Sequence, residues 1–187
     1  MNWSAIASGG ELADALVGLF AERGDEHYDE AVTQSAHAAQ TARLARLHDA
    51  PPELTVAALL HDVGHLLEPD EASVRNIRDL RHEQLGARLL GRWYPPAVTE
   101  PIRLHVAAKR YLCAVDDTYQ SALSPESARS LALQGGPMTA TEAAAFASTP
   151  YADAATQLRH WDDLAKRTDV IAAPVASYRE LLAGLSR

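Results

Sequence analysis

Apolar positions recur along this chain at intervals of three and four. Leu12, Leu16, Leu19 and Phe20 form one stripe, Val32, Ala36 and Ala39 a second, and Leu44 and Leu47 continue it. That period puts the apolar side chains on one face of an α-helix. Alanine and leucine dominate, β-branched residues are few and aromatic residues make up only 6%, a composition that favours helices over strands. Gly24, Pro51-Pro52, Pro69, Pro95-Pro96, Pro125, Gly135-Gly136-Pro137, Pro150 and Pro174 interrupt the pattern. The segments between them predict helices at 9–22, 29–48, 52–66, 82–92, 98–112, 125–133, 139–147, 152–167 and 172–185. Pro52 suits a first helical turn, and Thr139 ahead of Thr141-Glu142 suits an N-cap. Residues 67–81 read as a polar connection, either partly ordered or a lid. With no repeat, low-complexity tract or interdomain linker, the prediction is one all-α domain over residues 1–187.

Composition narrows the chemistry. A chain of 187 residues with 47% apolar and 22% charged positions can hold itself together without disulfides or metals. A metal here therefore points to reactivity rather than to folding. The net charge of −8 and pI near 5.4 give no general electrostatic reason to expect nucleic acid or acidic membranes. A small anion is still compatible, because local positive charge around metals outweighs the global field. The stretch from Met1 to Gly10 has no basic region followed by an apolar run, and no segment approaches 18 uninterrupted apolar residues, so neither a signal peptide nor a membrane span is expected. The single Cys113 reads as a small apolar residue in a reducing compartment. Cytoplasm is the expected location, with no obligatory protein partner evident.

Eight histidines stand out next. His61-Asp62-Val63-Gly64-His65 directly follows the apolar run Val56-Ala57-Ala58-Leu59-Leu60. Adjacent imidazole and carboxylate at a helix end can reach one cation, and a continuous helix would put His65 one turn further along the face of His61. The dipeptide alone is weak evidence, since His48-Asp49 is another. That one reads as a helix-terminal histidine favoured by the dipole, followed by a turn or cap. The His61-Asp62 pair gains weight from His37 upstream, from His82 and His105 downstream, and from Arg159 and Asp162 three apart on one helical face.

The order His, His-Asp, His, His, late Asp resembles the HD-domain superfamily from Glu30 to about Lys166. The resemblance implies an all-α bundle with a metal site in its centre. His37, His61, Asp62 and Asp162 match one ligand set. His82 and His105 match the extra ligands of the two-metal branch, in which the carboxylate of Asp62 bridges the ions.

Finer matches resemble the mixed-valent di-iron oxygenases of phosphonate degradation within that superfamily. They are Glu30-Ala31-Val32-Thr33-Gln34-Ser35-Ala36-His37, Leu123-Ser124-Pro125 with Ser127, and Leu133-Gln134-Gly135-Gly136-Pro137. The resemblance implies two iron ions, Fe(II) and Fe(III), with O2 as co-substrate. The reaction it implies is cleavage of the C–P bond of a small 1-hydroxyalkylphosphonate to phosphate and a carboxylic acid. Substrate contacts then fall on Glu30, Gln34, His65, Lys109, Ser127 and Arg159. Lys109 shares a helical face with His105, and a guanidinium at Arg159 suits two phosphonate oxygens. One position departs from the pattern: where the phosphonate-cleaving members carry a gating tyrosine, this chain has His27 with Tyr28 beside it. Either could gate the site. The same ligands also suit a metal-dependent phosphohydrolase acting on a nucleotide or small phosphomonoester, or a sensor that binds phosphonate without turnover, and they accept manganese or zinc as well as iron.

Overall fold

The computed structural model describes residues 2–25, 27, 31–67 and 81–187. Tyr28, Glu30 and the interior of the predicted polar connection, with its proposed lid, lie outside the described residues. Among those described, every regular element is helical. The helices are α1 (Gly9–Arg23), α2 (Gln34–Leu47), α3 (Pro52–Leu60), α4 (Val63–Leu67), α5 (His82–Leu90), α6 (Pro96–Val115), α7 (Asp117–Ala122), α8 (Pro125–Leu133), α9 (Ala140–Ala147), α10 (Ala152–Leu164) and α11 (Arg179–Gly184). Short 3₁₀ turns cover Trp3–Ala5 and Val175–Tyr178. No helix among the described residues is long and apolar enough to cross a membrane.

Helix α6 is the axis. Helices α3, α5, α9 and α10 pack along it, α2 lies across α3 and α10, and α4 leans on α5. Pro96 opens α6 at its first position, where the missing N–H has no helical acceptor to lose. Pro101 lies within it without ending it. Helices α1 and α11 pair on the outside and bury Leu12, Leu16, Leu19, Phe20 and Leu182 in the main core, together with Val56, Leu59, Leu60, Ile102 and Trp161. Each fully buried leucine contributes roughly 1.5–3 kcal/mol.

Side-chain caps from Ser8, Thr33, Asp116, Ser124 and Thr139 start five of the helices. The Thr33 hydroxyl accepts from Ala36 N at 3.1 Å, so α2 begins at Gln34 rather than at 29. Thr139 and Glu142 form a reciprocal capping box at the start of α9, as the sequence implied. Asp116 accepts from Thr118 N and Tyr119 N and starts α7, a helix the apolar period does not predict.

Two further differences matter for the site. The predicted helix 52–66 is broken at His61-Asp62, where His61 Nδ1 takes the Ala58 carbonyl three residues back at 2.9 Å. The predicted helix 152–167 ends at Leu164, and the Ala165 carbonyl faces His37 Nδ1 at 3.0 Å. The other dipeptide behaves as read: His48 caps α2 with Nδ1 at 2.8 Å from the Leu44 carbonyl, and Asp49 turns the chain at φ 52°.

Candidate metal centre and anion pocket

Four helices and the break between two others send groups to the middle of the bundle. His37 comes from α2, His61 and Asp62 from the break between α3 and α4, His82 from the first position of α5, His105 from the middle of α6 and Asp162 from α10. His37, His61, His82, His105 and Asp162 are all at least nine-tenths buried.

The atoms sort into two sets that share one carboxylate. His37 Nε2 lies 3.2 Å from His61 Nε2 and 3.2 Å from Asp162 Oδ1, while Asp62 Oδ2 is 3.3 Å from His61 Nε2 and 3.7 Å from His37 Nε2. On its other side, Asp62 Oδ1 lies 3.3 Å from His82 Nε2 and 3.5 Å from His105 Nε2, and these two nitrogens are 3.2 Å apart. Two ligands bonded at about 2.1 Å to one ion stand roughly 3.0–3.4 Å apart at octahedral to tetrahedral angles. Five of these spacings, at 3.2–3.3 Å, fall in that range, while His105–Asp62 at 3.5 Å, His37–Asp62 at 3.7 Å and His61–Asp162 at 3.9 Å are longer.

The histidine tautomers support the same reading. His37, His61 and His105 each point Nδ1 at a backbone carbonyl, of Ala165, Ala58 and Ile102, at 3.0, 2.9 and 2.7 Å. A carbonyl only accepts, so Nδ1 carries the hydrogen and Nε2 keeps its lone pair. Nε2 lone pairs facing one another at 3.2 Å repel unless a cation lies between them. Without a metal, a proton takes that place. Burial alone would lower His61, but the Asp62 carboxylate outweighs it and raises His61 to about 9. Asp62 resists burial and is held well below the usual carboxylate range, with His61 and His82 beside it. Burial drives His105 well below its ordinary value, so it is a neutral imidazole ready to bind metal.

His65 does not lie under His61 as a continuous helix would require. The break turns α4 away, and His65 stacks on His82 with ring centroids 3.9 Å apart. Burial, then His82, pushes it down to about 3, so it is neutral. Its ring nitrogen also groups with Asp62 and His82 at metal-binding spacing.

Gly64 permits this arrangement through close approach. A Cβ there would stand 2.0 Å from the carbonyl oxygen of His82. Gly64→Ala must therefore push α5 off α4 and move His82. We expect a loss of about 1–3 kcal/mol, roughly 2–12 °C in melting temperature for a chain of this size, with reduced metal retention. A thermal melt and a metal assay check it; unchanged values for both would contradict the close-approach argument.

A cluster of cationic and hydroxyl side chains adjoins the His37, His61 and Asp162 set. Arg159, 4% exposed, gives Nη1 to Asp162 Oδ2 at 2.5 Å, pairs with Asp163, and reaches Tyr119 OH with Nε at 3.1 Å. Its Nη2 reaches Ser127 Oγ at 3.3 Å, where Lys166 Nζ also donates at 3.0 Å. Lys109 is buried on the face of α6 that carries His105, and its Nζ donates to Ser130 Oγ at 2.7 Å. Gln34 is buried one turn ahead of His37, and His27 is exposed. Sequence reasoning missed Lys166, Tyr119 and Ser130 as parts of this cluster. Lys166 had a signal, since it lies four residues after Asp162. Tyr119 had none in the apolar pattern, because α7 rests on its cap.

A helical bundle gathering buried imidazoles and carboxylates into two facing sets defines a metal-binding protein. A family model described as HD domain matches residues 35–130. The chain is 48% identical to hydroxymethylphosphonate dioxygenase of Gimesia maris over 84% of its own length and 79% of that protein's. It is 42% identical to the glycine-betaine-forming [1-hydroxy-2-(trimethylamino)ethyl]phosphonate dioxygenase of Leisingera caerulea, over 86% and 83%. An uncharacterized protein of Acanthamoeba polyphaga mimivirus is 29% identical over 90% and 79%. The chain belongs to the HD-domain family, in the branch that holds these phosphonate dioxygenases.

Proposed function

We propose that this protein is a di-iron oxygenase that cleaves the C–P bond of a small 1-hydroxyalkylphosphonate. The observation that carries the reading is the pair of ligand sets sharing Asp62, with the Arg159, Ser127 and Lys166 cluster joined to Asp162 of one of them. His37, His61, Asp62 and Asp162 would hold one iron, and His82, His105 and Asp62 the other. Bound there as Fe(II) and Fe(III), the pair supplies the redox chemistry with O2.

The chain's own residues do the rest. Lys109, Ser127 and Arg159 receive the phosphonate oxygens and point the carbinol carbon at the His37 and Asp162 side of the centre, so orientation is set before any bond breaks. His65, neutral and stacked on His82, is assigned to the substrate on resemblance. In the reaction a hydroxyalkylphosphonate and one O2 become a carboxylate, phosphate and a proton. The carbon is oxidised by four electrons and O2 accepts them, so no outside reductant is consumed. Gln34, Glu30 and a gate at Tyr28 or His27 are assigned to the same pocket on resemblance. A buried free Cys113 and iron kept partly reduced suit the cytoplasm.

Iron-loaded protein given hydroxymethylphosphonate in air should consume O2 and release phosphate and formate in equal amounts. Metal analysis should find two irons per chain. Phosphate release from a phosphomonoester under strict anaerobiosis, with no oxygen-dependent turnover of the hydroxyphosphonate, would favour the phosphohydrolase reading instead.

Lys109 gives the proposal a pH signature. Burial, reinforced by Arg159, lowers its ammonium to about 8. The charged form prevails below that pH and is lost above it. We therefore expect kcat/KM, which reports free enzyme, to fall as pH rises through about 8. Lys109→Arg should remove that limb, since a guanidinium stays charged. A pH profile with the same alkaline limb in both proteins would rule Lys109 out as its source.

A further inference from the structure

The hydroxyl of Ser127 is held by two cations at once. Lys166 Nζ and Arg159 Nη2 both donate to its oxygen, at 3.0 and 3.3 Å. A serine hydroxyl has two acceptor positions and one hydrogen. With both acceptor positions taken, Ser127 can only donate. Its side chain is 4% exposed, and a buried O–H seeks an acceptor. The oxygen of an anion bound beside this cluster is such an acceptor.

Arg159 is more heavily engaged than a two-handed grip on the substrate would allow. Of the five N–H groups of a guanidinium, one on Nη1 goes to Asp162, the two on Nη2 to Asp163 and Ser127, and that on Nε to Tyr119 and Asp163. Its charge is matched by those carboxylates. Against Asp162 and Asp163 the cluster sets three cations, Lys109, Arg159 and Lys166, and a bound metal would draw on Asp162 as well. Among these described side chains the cations outnumber the carboxylates, in a chain whose net charge is −8.

Both backbone neighbours of Lys166 are tied to α2. The Ala165 carbonyl accepts from His37 Nδ1 at 3.0 Å, and Gln40 accepts from Arg167 N at 3.2 Å while donating to the Arg167 carbonyl at 2.8 Å. A long, flexible lysine thus starts from a backbone clamped to the helix that carries a metal-site histidine, which lowers the entropy of holding its ammonium in place.

We propose that Lys166, acting with Ser127, is the specificity-determining cation that selects a doubly charged phosphonate or phosphate group over singly charged anions. The phosphonate reading supplies the substrate on which this selection acts.

Calorimetry on metal-loaded protein at about pH 7.5, where a phosphate-type group is mostly doubly charged, tests it with three probes. They are inorganic phosphate, hydroxymethylphosphonate and its singly charged monomethyl ester. Lys166→Met should weaken the first two by about 30-fold, roughly 2 kcal/mol, and the ester by less than about threefold; Lys166→Arg should keep most of the selectivity. Equal losses for all three probes, or no loss in Lys166→Met, would overturn the proposal. If the methionine variant does not fold, Lys166→Gln carries the same two outcomes, with its melting temperature as control. Oxygen uptake by the unaltered protein separates the two claims. Selective binding of doubly charged anions without oxygen consumption leaves Lys166 standing and removes the oxygenase. Turnover with unchanged selectivity in the variants does the reverse.

Discussion

Asp62→Asn is expected to empty the proposed two-metal centre and to lower turnover by on the order of 10⁴-fold, about 5.4 kcal/mol. Among the described residues, Asp62 is the one group whose two oxygens face different histidine sets, Oδ2 towards His61 at 3.3 Å and Oδ1 towards His82 at 3.3 Å. An amide keeps the shape but loses the charge, and it turns an N–H towards one set of imidazole nitrogens. Two positive ions held close together need an anion between them, because bare charges at short range in a buried site repel strongly. The histidines should remain in place, since carbonyls of Ala165, Ala58 and Ile102 orient three of them independently of Asp62. Iron per chain should therefore fall below one while the fold persists, measured by metal analysis beside circular dichroism. An asparagine variant that keeps two ions and more than about a tenth of its turnover would show that the carboxylate does not bridge.

Arg159→Leu should be the most destabilising single change at the site. The guanidinium is buried between Asp162 and Asp163, and Tyr119 completes its surroundings. Burial opposes its charge, but the two carboxylates overcome that and hold Arg159 well above its ordinary range. Asp162 is held well below the carboxylate range despite burial, chiefly by Arg159. Removing one partner of a buried pair leaves a charge without compensation, which costs about 3–5 kcal/mol, or roughly 10–15 °C in melting temperature here. Metal should soften the loss, because a bound cation balances Asp162 when Arg159 is gone. The deficit relative to the unaltered protein should thus be larger after chelation than in the loaded form. Adding Asp163→Leu should recover part of the stability, since it removes the second stranded carboxylate. A loss below about 1 kcal/mol, as for an exposed pair, would mean that the cluster is not closed to water.

Much of this molecule was legible before any coordinates. The three-and-four spacing of Leu12, Leu16 and Leu19 placed α1, and Pro52, Pro125 and Thr139 marked helix starts that depend on local chemistry alone. The six histidines and aspartates proposed as ligands were legible for a different reason. Imidazole and carboxylate in the order His, His-Asp, His, His, Asp resemble the ligand order of the HD-domain superfamily, and the groups do converge. What local sequence could not supply was direction. The break at His61-Asp62 lies inside an apolar run that looks helical throughout, and only the packing of Gly64 on His82 shows why the chain turns there.

The sequence by itself determined the helical class, most helix starts and the chemical identity of the groups at the centre, because these depend on side-chain chemistry and on contacts within one or two turns. Tertiary structure decided that Asp62 faces two ways, that His65 stacks on His82 and that Arg159 is engaged by two carboxylates. It also brought Lys166 to Ser127 across 39 residues. Those outcomes depend on where separate helices cross, and crossing is fixed by the packing of the whole core rather than by any segment's own preference.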